Sequence, residues 1–369
     1  MDGHVPDLKD IGARVQMARE DARMTQAELA LLLGLDRTAV AKIESGSRKI
    51  AAIELVRIAS TLDRPIDWFV AESPPAVVSR RLDPITGGFS KILDRQIERL
   101  ARDVEFLEGD GILPPNELEN LEFPKDVVEA EQRARTVRAS MSAPKGPLKD
   151  LQRHAESIGL LAFSQNLGDE EGDAAYVAVD RCGVALINGS VDPGRRRFNL
   201  AHEVGHHVFA DAYAPEVHIS PVGDSERLIN AFAIHLLLPR EEVSELWQSF
   251  DDKRMAAVAI GIQYRVSWSA VCAQLKNIGL ISESLRSELM AVSPTRADSI
   301  ELGERWVNEL EAPSVPPNYG RRILGAYRNG RLSSSRTIEL LWGTVREEEL
   351  PERNEVPLEG FRREFNAYS

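Results

Sequence analysis

Apolar and polar positions change their period along this chain, and the changes divide it into four stretches. Over residues 7–70, apolar residues recur at helical spacing in short runs broken by Gly and Asp, the pattern of short amphipathic helices. Val15, Ala18 and Ala22 mark the buried face of a first helix. Thr25 can cap a second over 26–33, with Glu28 placed three residues on as in a capping box, and Gly34 ends it. Asp36 can cap a third over 37–44. There Val40 and Ile43 turn inward, Arg37, Thr38, Ala39 and Lys42 turn outward, and Gly46 closes the helix, followed by Arg48 and Lys49.

Next, ESPPAVVSRR reads as a linker, followed by a charged helix over about 90–107. Its Leu93, Ile97, Leu100, Val104 and Leu107 form a short heptad-like stripe, expected to pack on its own domain because two heptads are few for a dimer seam. In the third stretch, 151–282, residues 159–163, 175–179 and 184–187 read as short strands bounded by Gly and Asp turns. Two helices follow, over 195–211 and 224–238, the second capped by Asp224 or Ser225 and stopped by Pro239. The fourth stretch, 283–369, is helical again, interrupted by APSVPPNYG. It ends in an amphipathic segment, with Ile338, Leu340, Leu341 and Trp342 apolar, and an acidic run at Glu347–Glu349 that would repel DNA. The fold expected is α+β and predominantly helical. Its segments are 1–72, a five-helix-type bundle; 73–150, a linker and charged helix; 151–282, a domain with a small sheet and two following helices; and 283–369, a helical C-terminal region.

Composition narrows this little. The net charge is −13, so the whole molecule repels DNA, and nucleic-acid binding has to come from a local patch. Only Cys182 and Cys272 are present, far apart, which suits a reducing compartment better than a disulfide framework. There is no signal-peptide core at the start and no apolar run long enough for a bilayer, so the expected localisation is cytoplasmic with no membrane partner.

A short turn between two helices, the second presenting Arg, Thr and Lys on one face, is the geometry that puts side chains into a major groove of double-stranded DNA. Arg37 can read guanine, while Thr25, Gln26 and Lys49 are better placed for phosphates. The run TQAELALLLGLDRTAVAKIESGSRKI is similar to the XRE family of phage-repressor-like helix-turn-helix domains, in its Thr-Gln at the start of helix two and its Ile-Glu-Ser-Gly stop after helix three. The resemblance implies DNA contacts from Thr25, Gln26, Arg37, Thr38, Ala39, Lys42, Arg48 and Lys49. A homodimer reading two half-sites is expected, because one such domain binds weakly.

His202-Glu203-Val204-Gly205-His206 carries the other chemistry. Two histidines four apart share a helix face and can bind one zinc ion, and Glu203 beside them can act as general base toward a zinc-activated water. Gly205 would let another backbone approach. A third ligand is needed. Glu226, at the start of the next helix, is the first candidate and His235 the rival. Nine residues at about 100° each turn the helix by about 900°, so only one of the two can face the metal. His207 should be solvated or capping.

The runs RRRFNLAHEVGHHVFA and ERLINAFAIHLLLP resemble the ImmA/IrrE metallopeptidases over about 155–282, with Asn230, Phe232, Ala233 and Pro239 also in place. The sequence departs from that family in having Asn199 for a common Thr, Ile229 for Ala and His235 for Glu. The resemblance implies His202, His206 and Glu226 as ligands of Zn2+ and Glu203 as the catalytic base. It also implies a regulator that cleaves or controls a partner protein, either a repressor substrate or a cognate toxin, in a phage, stress or toxin-antitoxin setting. The alternative is a non-catalytic DNA-binding antitoxin or regulator whose zinc site is structural and closed by a fourth ligand such as His235 or His218. Tyr213 and His218 are the candidates for an oxyanion helper.

Overall fold

The computed structural model describes residues 7–22, 24–62, 64, 66–70, 77–81, 91–114, 120–168, 172–179, 182–209, 222–303 and 305–354. The chain divides into two units, 1–74 and 75–369. The fold is α+β and predominantly helical.

The first unit is a bundle of α1 (Leu8–Asp21), α2 (Gln26–Leu33), α3 (Arg37–Glu44), α4 (Ala52–Thr61) and α5 (Ile66–Val70). The Thr25–Glu28 capping box forms, and Gly34 takes the left-handed conformation that ends α2, at φ +69°. Val15, Leu29, Val40, Ile43, Ile58 and Phe69 fill the core. A buried ion pair crosses it. Arg19 Nε donates to Glu44 Oε1 at 2.6 Å and Arg19 Nη1 to the Met24 carbonyl at 2.8 Å, tying α1 to the end of α3 and to the turn before α2.

The second unit is built on a four-stranded sheet of β1 (Val77–Arg81), β2 (Leu160–Gln165), β3 (Ala174–Val179) and β4 (Cys182–Asn188), in the order β1-β3-β4-β2. The β2–β4 pair is parallel and the other two antiparallel. Three of these strands coincide with the alternating runs of the sequence. The fourth lies in the segment read as a linker, where Val77–Arg81 adds an edge to β3. Five residues beside two prolines carry too little pattern to announce a strand whose pairing is entirely non-local.

Alternation along the strands sends side chains to two cores. Leu161, Phe163, Ala175, Val177 and Leu186 face one side, with α6 (Lys91–Gly109), α16 (Pro317–Arg328) and α17 (Ser334–Leu340) over them. The stripe Leu93, Ile97, Leu100, Val104 and Leu107 is fully buried there, so α6 packs on its own unit. Leu160, Ala162, Tyr176, Ala185 and Ile187 face the other side. That side carries α7 (Val127–Ser140), α8 (Leu151–Ser157), α9 (Pro193–Phe209), α10 (Val222–Leu237), α11 (Arg240–Gln248), α12 (Lys253–Tyr264) and α13 (Trp268–Asn277), followed by α14 (Glu283–Ala291) and α15 (Arg296–Glu301). The sheet is thus a middle layer, and the stretches 73–150 and 283–369 supply parts of both coverings. No described helix is long and apolar enough to cross a membrane, and both cysteines are free thiols.

Helix α9 lies between the sheet and α10 and is buried along almost its whole length. Its entry is held by a charged hub. The Glu309 carboxylate accepts from the buried Arg197, from Arg265, and from the backbone N–H groups of Asp150 and Leu151 at 3.0 and 3.2 Å. Burial alone would raise the Glu309 pKa, but the Arg197 charge and these donors outweigh it and hold the carboxyl below its ordinary value.

Near its other end, His207 is buried rather than solvated or capping. Its Nε2–H donates to the Ile158 carbonyl at 2.9 Å, and its Nδ1 accepts from the Tyr176 hydroxyl at 3.2 Å. Burial lowers its pKa from 6.5 to about 4. The unfolded chain therefore binds the proton first. The neutral ring's contribution, roughly 3 kcal/mol, is complete above the unfolded pKa and is lost as pH falls through that window toward the folded pKa. Thermal melts of the full chain between pH 7 and pH 4.5 should show the second unit losing stability on acidification, with a shallower slope in His207→Gln.

Candidate functional site

In the second unit, the period of α9 brings His202 and His206 to one face, and α10 carries Glu226 opposite them. The two helices approach closely because Gly205 has no side chain. A Cβ there would lie 2.9 Å from Ile229 Cγ2 and 3.2 Å from Phe232 Cδ1. Side chains of α10, rather than a second backbone, occupy the space, and the bulk of Ile229 is accommodated by Gly205.

His202 Nε2 lies 3.0 Å from His206 Nε2, Glu226 Oε2 lies 3.3 Å from the first ring, and Glu226 Oε1 lies 3.7 Å from the second. A tetrahedral ion at about 2.0–2.1 Å from each donor would separate the donors by about 3.3 Å. The three residues therefore fit one ion, and together they form a group of converging ligand atoms within 4.8 Å of one another. His202 Nδ1–H donates to Asn230 Oδ1 at 3.1 Å, which fixes the tautomer and leaves Nε2 free to coordinate. Asn230 sits one turn after Glu226, so a single helix supplies a ligand and the partner that orients another ligand.

Glu203 has no exposed surface, and neither of its carboxylate oxygens has a hydrogen-bond partner among the described residues. The Asn199 side chain, one turn earlier on α9, is in the same condition. A buried polar group without a partner costs about 1–3 kcal/mol, more if charged, so these two side chains are ready to take up an added partner.

The rival ligand points elsewhere. His235 Nδ1 accepts from Gln274 Nε2 at 3.1 Å, and its Nε2 lies 3.7 Å from Glu131 Oε2. Glu131 is gripped by Arg240 through bonds of 2.8–3.1 Å, which hold its pKa down to about 2, and burial lowers that of His235. His235 thus belongs to a network joining α7, α10, α11 and α13. Tyr213 and His218 lie outside the described residues. Asn230 stood in the sequence without a role. Its spacing of four from Glu226 was the available signal, but it becomes meaningful only once His202 is opposite.

In the first unit, Arg37, Thr38 and Lys42 are exposed on α3, Ala39 is half-buried beside them, and Lys49 is exposed past its end. Three of the candidate DNA contacts are engaged within the bundle. The Thr25 hydroxyl and N–H both donate to Glu28, Gln26 Nε2 donates to Glu44 Oε2 at 2.9 Å, and Arg48 Nη2 donates to Glu54 at 2.7 Å.

Residues 15–69 match the family model described as helix-turn-helix, and residues 155–276 match the IrrE N-terminal-like domain. The radiation response metalloprotease IrrE of Deinococcus radiodurans is 31% identical over 94 residues, which is 24% of this chain and 29% of that protein. The match therefore spans less than a third of that relative. Among solved structures, the restriction-modification controller protein C.AhdI from Aeromonas hydrophila is 31% identical, with a TM-score of 0.17, over 17% of this chain and 94% of that one. PlcR from Bacillus thuringiensis, in complex with the peptide PapR7 and DNA, is 12% identical, with a TM-score of 0.18, over 90% and 91% of the two chains. The chain thus has a stretch similar to helix-turn-helix domains, followed by one similar to the IrrE N-terminal-like domain.

If these residues form the metal centre, purified protein should carry one zinc equivalent by elemental analysis. Glu226→Ala should abolish stoichiometric binding, and Asn230→Ala should weaken it by roughly 10–100-fold. Full zinc retention in Glu226→Ala would remove that residue from the ligand set.

Proposed function

We propose that this protein is a DNA-binding transcriptional regulator whose second unit is a zinc-dependent endopeptidase, acting on a partner regulatory protein such as a repressor or cognate toxin. The peptidase portion is assigned to 151–282 and the DNA reader to 1–72. One observation carries the reading: ligand atoms of His202 and His206 on α9 and of Glu226 on α10 converge, and the carboxylate of Glu203, next to His202 in the chain, is buried with no described partner.

A zinc ion held by the three ligands would supply Lewis acidity, lowering the pKa of a water and polarising a peptide carbonyl. The chain's own residues do the rest. Asn230 holds the His202 ring so that Nε2 faces Glu226. The Glu203 carboxylate takes the proton of the attacking water and returns it to the leaving amine, a role suited to a group not already hydrogen-bonded. Burial around α9 keeps bulk water from competing.

The alternative, a structural zinc in a non-catalytic regulator, needs a fourth protein ligand. Among the described residues the group has three members, and His235 is engaged elsewhere. His218, the other candidate for a fourth ligand, lies outside the described residues.

For the DNA reader, exposed Arg37, Thr38 and Lys42 on α3 support entry into a major groove. Exposed Ile53 and Val56 on α4, with Ile66 and Val70 on α5, offer an apolar surface on which a homodimer could form.

Glu203→Gln should retain zinc and lower cleavage of the partner by at least about 100-fold, read by immunoblot and by a reporter for relief of repression. Full biological activity in that variant would end the protease reading while leaving the metal site intact. Arg37→Ala should weaken operator binding by about 1–3 kcal/mol in mobility-shift titrations at fixed salt, and a null effect would exclude base contact by this side chain.

A further inference from the structure

A trough in two chambers runs beside the metal helix. The first, about 950 Å³, lies among α7, α9, α10 and α13. The second, about 1070 Å³, lies among α13, α14, α15 and the residues after α15. Asp192, Ser267 and Ser269 line both, so the chambers adjoin. The first chamber lies next to the candidate metal site, since its wall includes Asn230, the partner of His202 Nδ1, and Arg227, the neighbour of Glu226.

Two properties of the lining are independent of each other. Nine large apolar side chains of the second unit are exposed among the described residues, and six of them line this trough: Val127, Val128, Met290, Ile300, Trp306 and Val307. Apolar side chains gathered in one groove, when scattered exposure is the norm, mark a surface meant to be covered. The second property is charge. The described lining holds seven arginines, four in the first chamber and three in the second, against two carboxylates, Glu131 and Asp192. Glu131 is neutralised by Arg240. Arg227, Arg296 and Arg305 have no hydrogen-bond or ion-pair partner among the described residues. Arg195, Arg240, Arg265 and Arg286 are paired with Asp173, Glu131, Glu309 and Glu283, so the cations left for an acidic guest are Arg227, Arg296 and Arg305.

We propose that the trough holds an extended polypeptide segment, with bulky apolar side chains seated in the chambers and acidic side chains against the arginines, and that the segment belongs to the protein processed at the metal centre. The partner's identity rests on the endopeptidase reading, whereas the docking chemistry does not. Each chamber is already near the upper end of a drug-sized pocket, about 300–1,000 Å³, and the two adjoin, so the pair suits a polymer better than a small ligand. Aliphatic Val127, Val128 and Ile234 and the carboxylate of Asp192 suit a peptide better than a nucleic-acid backbone, which would need an unbroken positive groove.

The test uses the full-length Glu203→Gln protein, zinc-loaded, on an array of 12-residue peptides in which bulky apolar, acidic, basic and serine positions are permuted. Anisotropy titrations of the best binders follow. Retention should require acidic and bulky apolar residues together. The double variant Arg227→Glu/Arg305→Glu and the single variant Val128→Asp should each raise Kd at least tenfold, with zinc content and melting temperature unchanged. The proposal is overturned if no peptide is retained or if basic peptides bind as well. It is equally overturned if the variants bind like the parent, or if octanoate or a 12-nucleotide single strand displaces the peptide at lower concentration than unlabelled peptide does. Persistent partner cleavage by Glu203→Gln would instead sink the endopeptidase reading, and the array would still decide the docking question.

Discussion

A helix that carries seven polar side chains into a protein interior must find a partner for each or bear the desolvation penalty, and α9 imposes that constraint on the rest of the second unit. Its solution is visible residue by residue. Arg196 donates to the Leu310 carbonyl, Arg197 to Glu309 and the Leu148 carbonyl, His202 to Asn230, and His207 to the Ile158 carbonyl. These partners come from α10, from the end of α8, from the segment before α8, and from the segment before α16. Left without a partner among the described residues are the Glu203 carboxylate, the Asn199 amide and the Nε atoms of Arg196 and Arg197, while the Nε2 atoms of His202 and His206 face each other at 3.0 Å.

How much of this could be read beforehand depended on the range of each interaction. The spacing of His202, Glu203 and His206 is local, and local period fixes which helix face they share. The same holds for the capping box at Thr25 and for the alternating strands. Glu226 and His235 could be separated as alternatives by helical angle, but choosing between them needed the orientation of α10 against α9, which Gly205, Ile229 and Phe232 determine. Strand β1 was hidden because its pairing partner lies about a hundred residues away. His207 was misread because a histidine next to a ligand histidine points a hundred degrees round the helix, and only the fold shows that this direction is the sheet rather than water.

The distribution of charge gives the two units a common logic. An acidic molecule keeps non-specific contacts with nucleic acid weak, so binding depends on where the few unneutralised cations stand. In the first unit Arg37 and Lys42 stand exposed on α3, while Arg19 and Arg48 are consumed by internal acids. In the second, Arg227, Arg296 and Arg305 line the chambers beside α10 and α15. Each unit thus presents a small positive surface to one kind of partner against an otherwise repulsive field.

The sheet's covering on both faces bears on where this protein can be divided. The stretch that matches the IrrE N-terminal-like domain, 155–276, contains three of the four strands and the metal helix. It lacks α6, α16 and α17. A fragment trimmed to those limits would leave Leu161, Phe163, Ala175, Val177, Val179, Val184 and Leu186 facing water on one side of the sheet, and would lose Glu309 from beneath Arg197. The peptidase-like segment is therefore a component whose solubility is lent to it by sequence lying well before and well after it. The useful cloning boundary is the whole of 75–369 rather than the limits of family similarity.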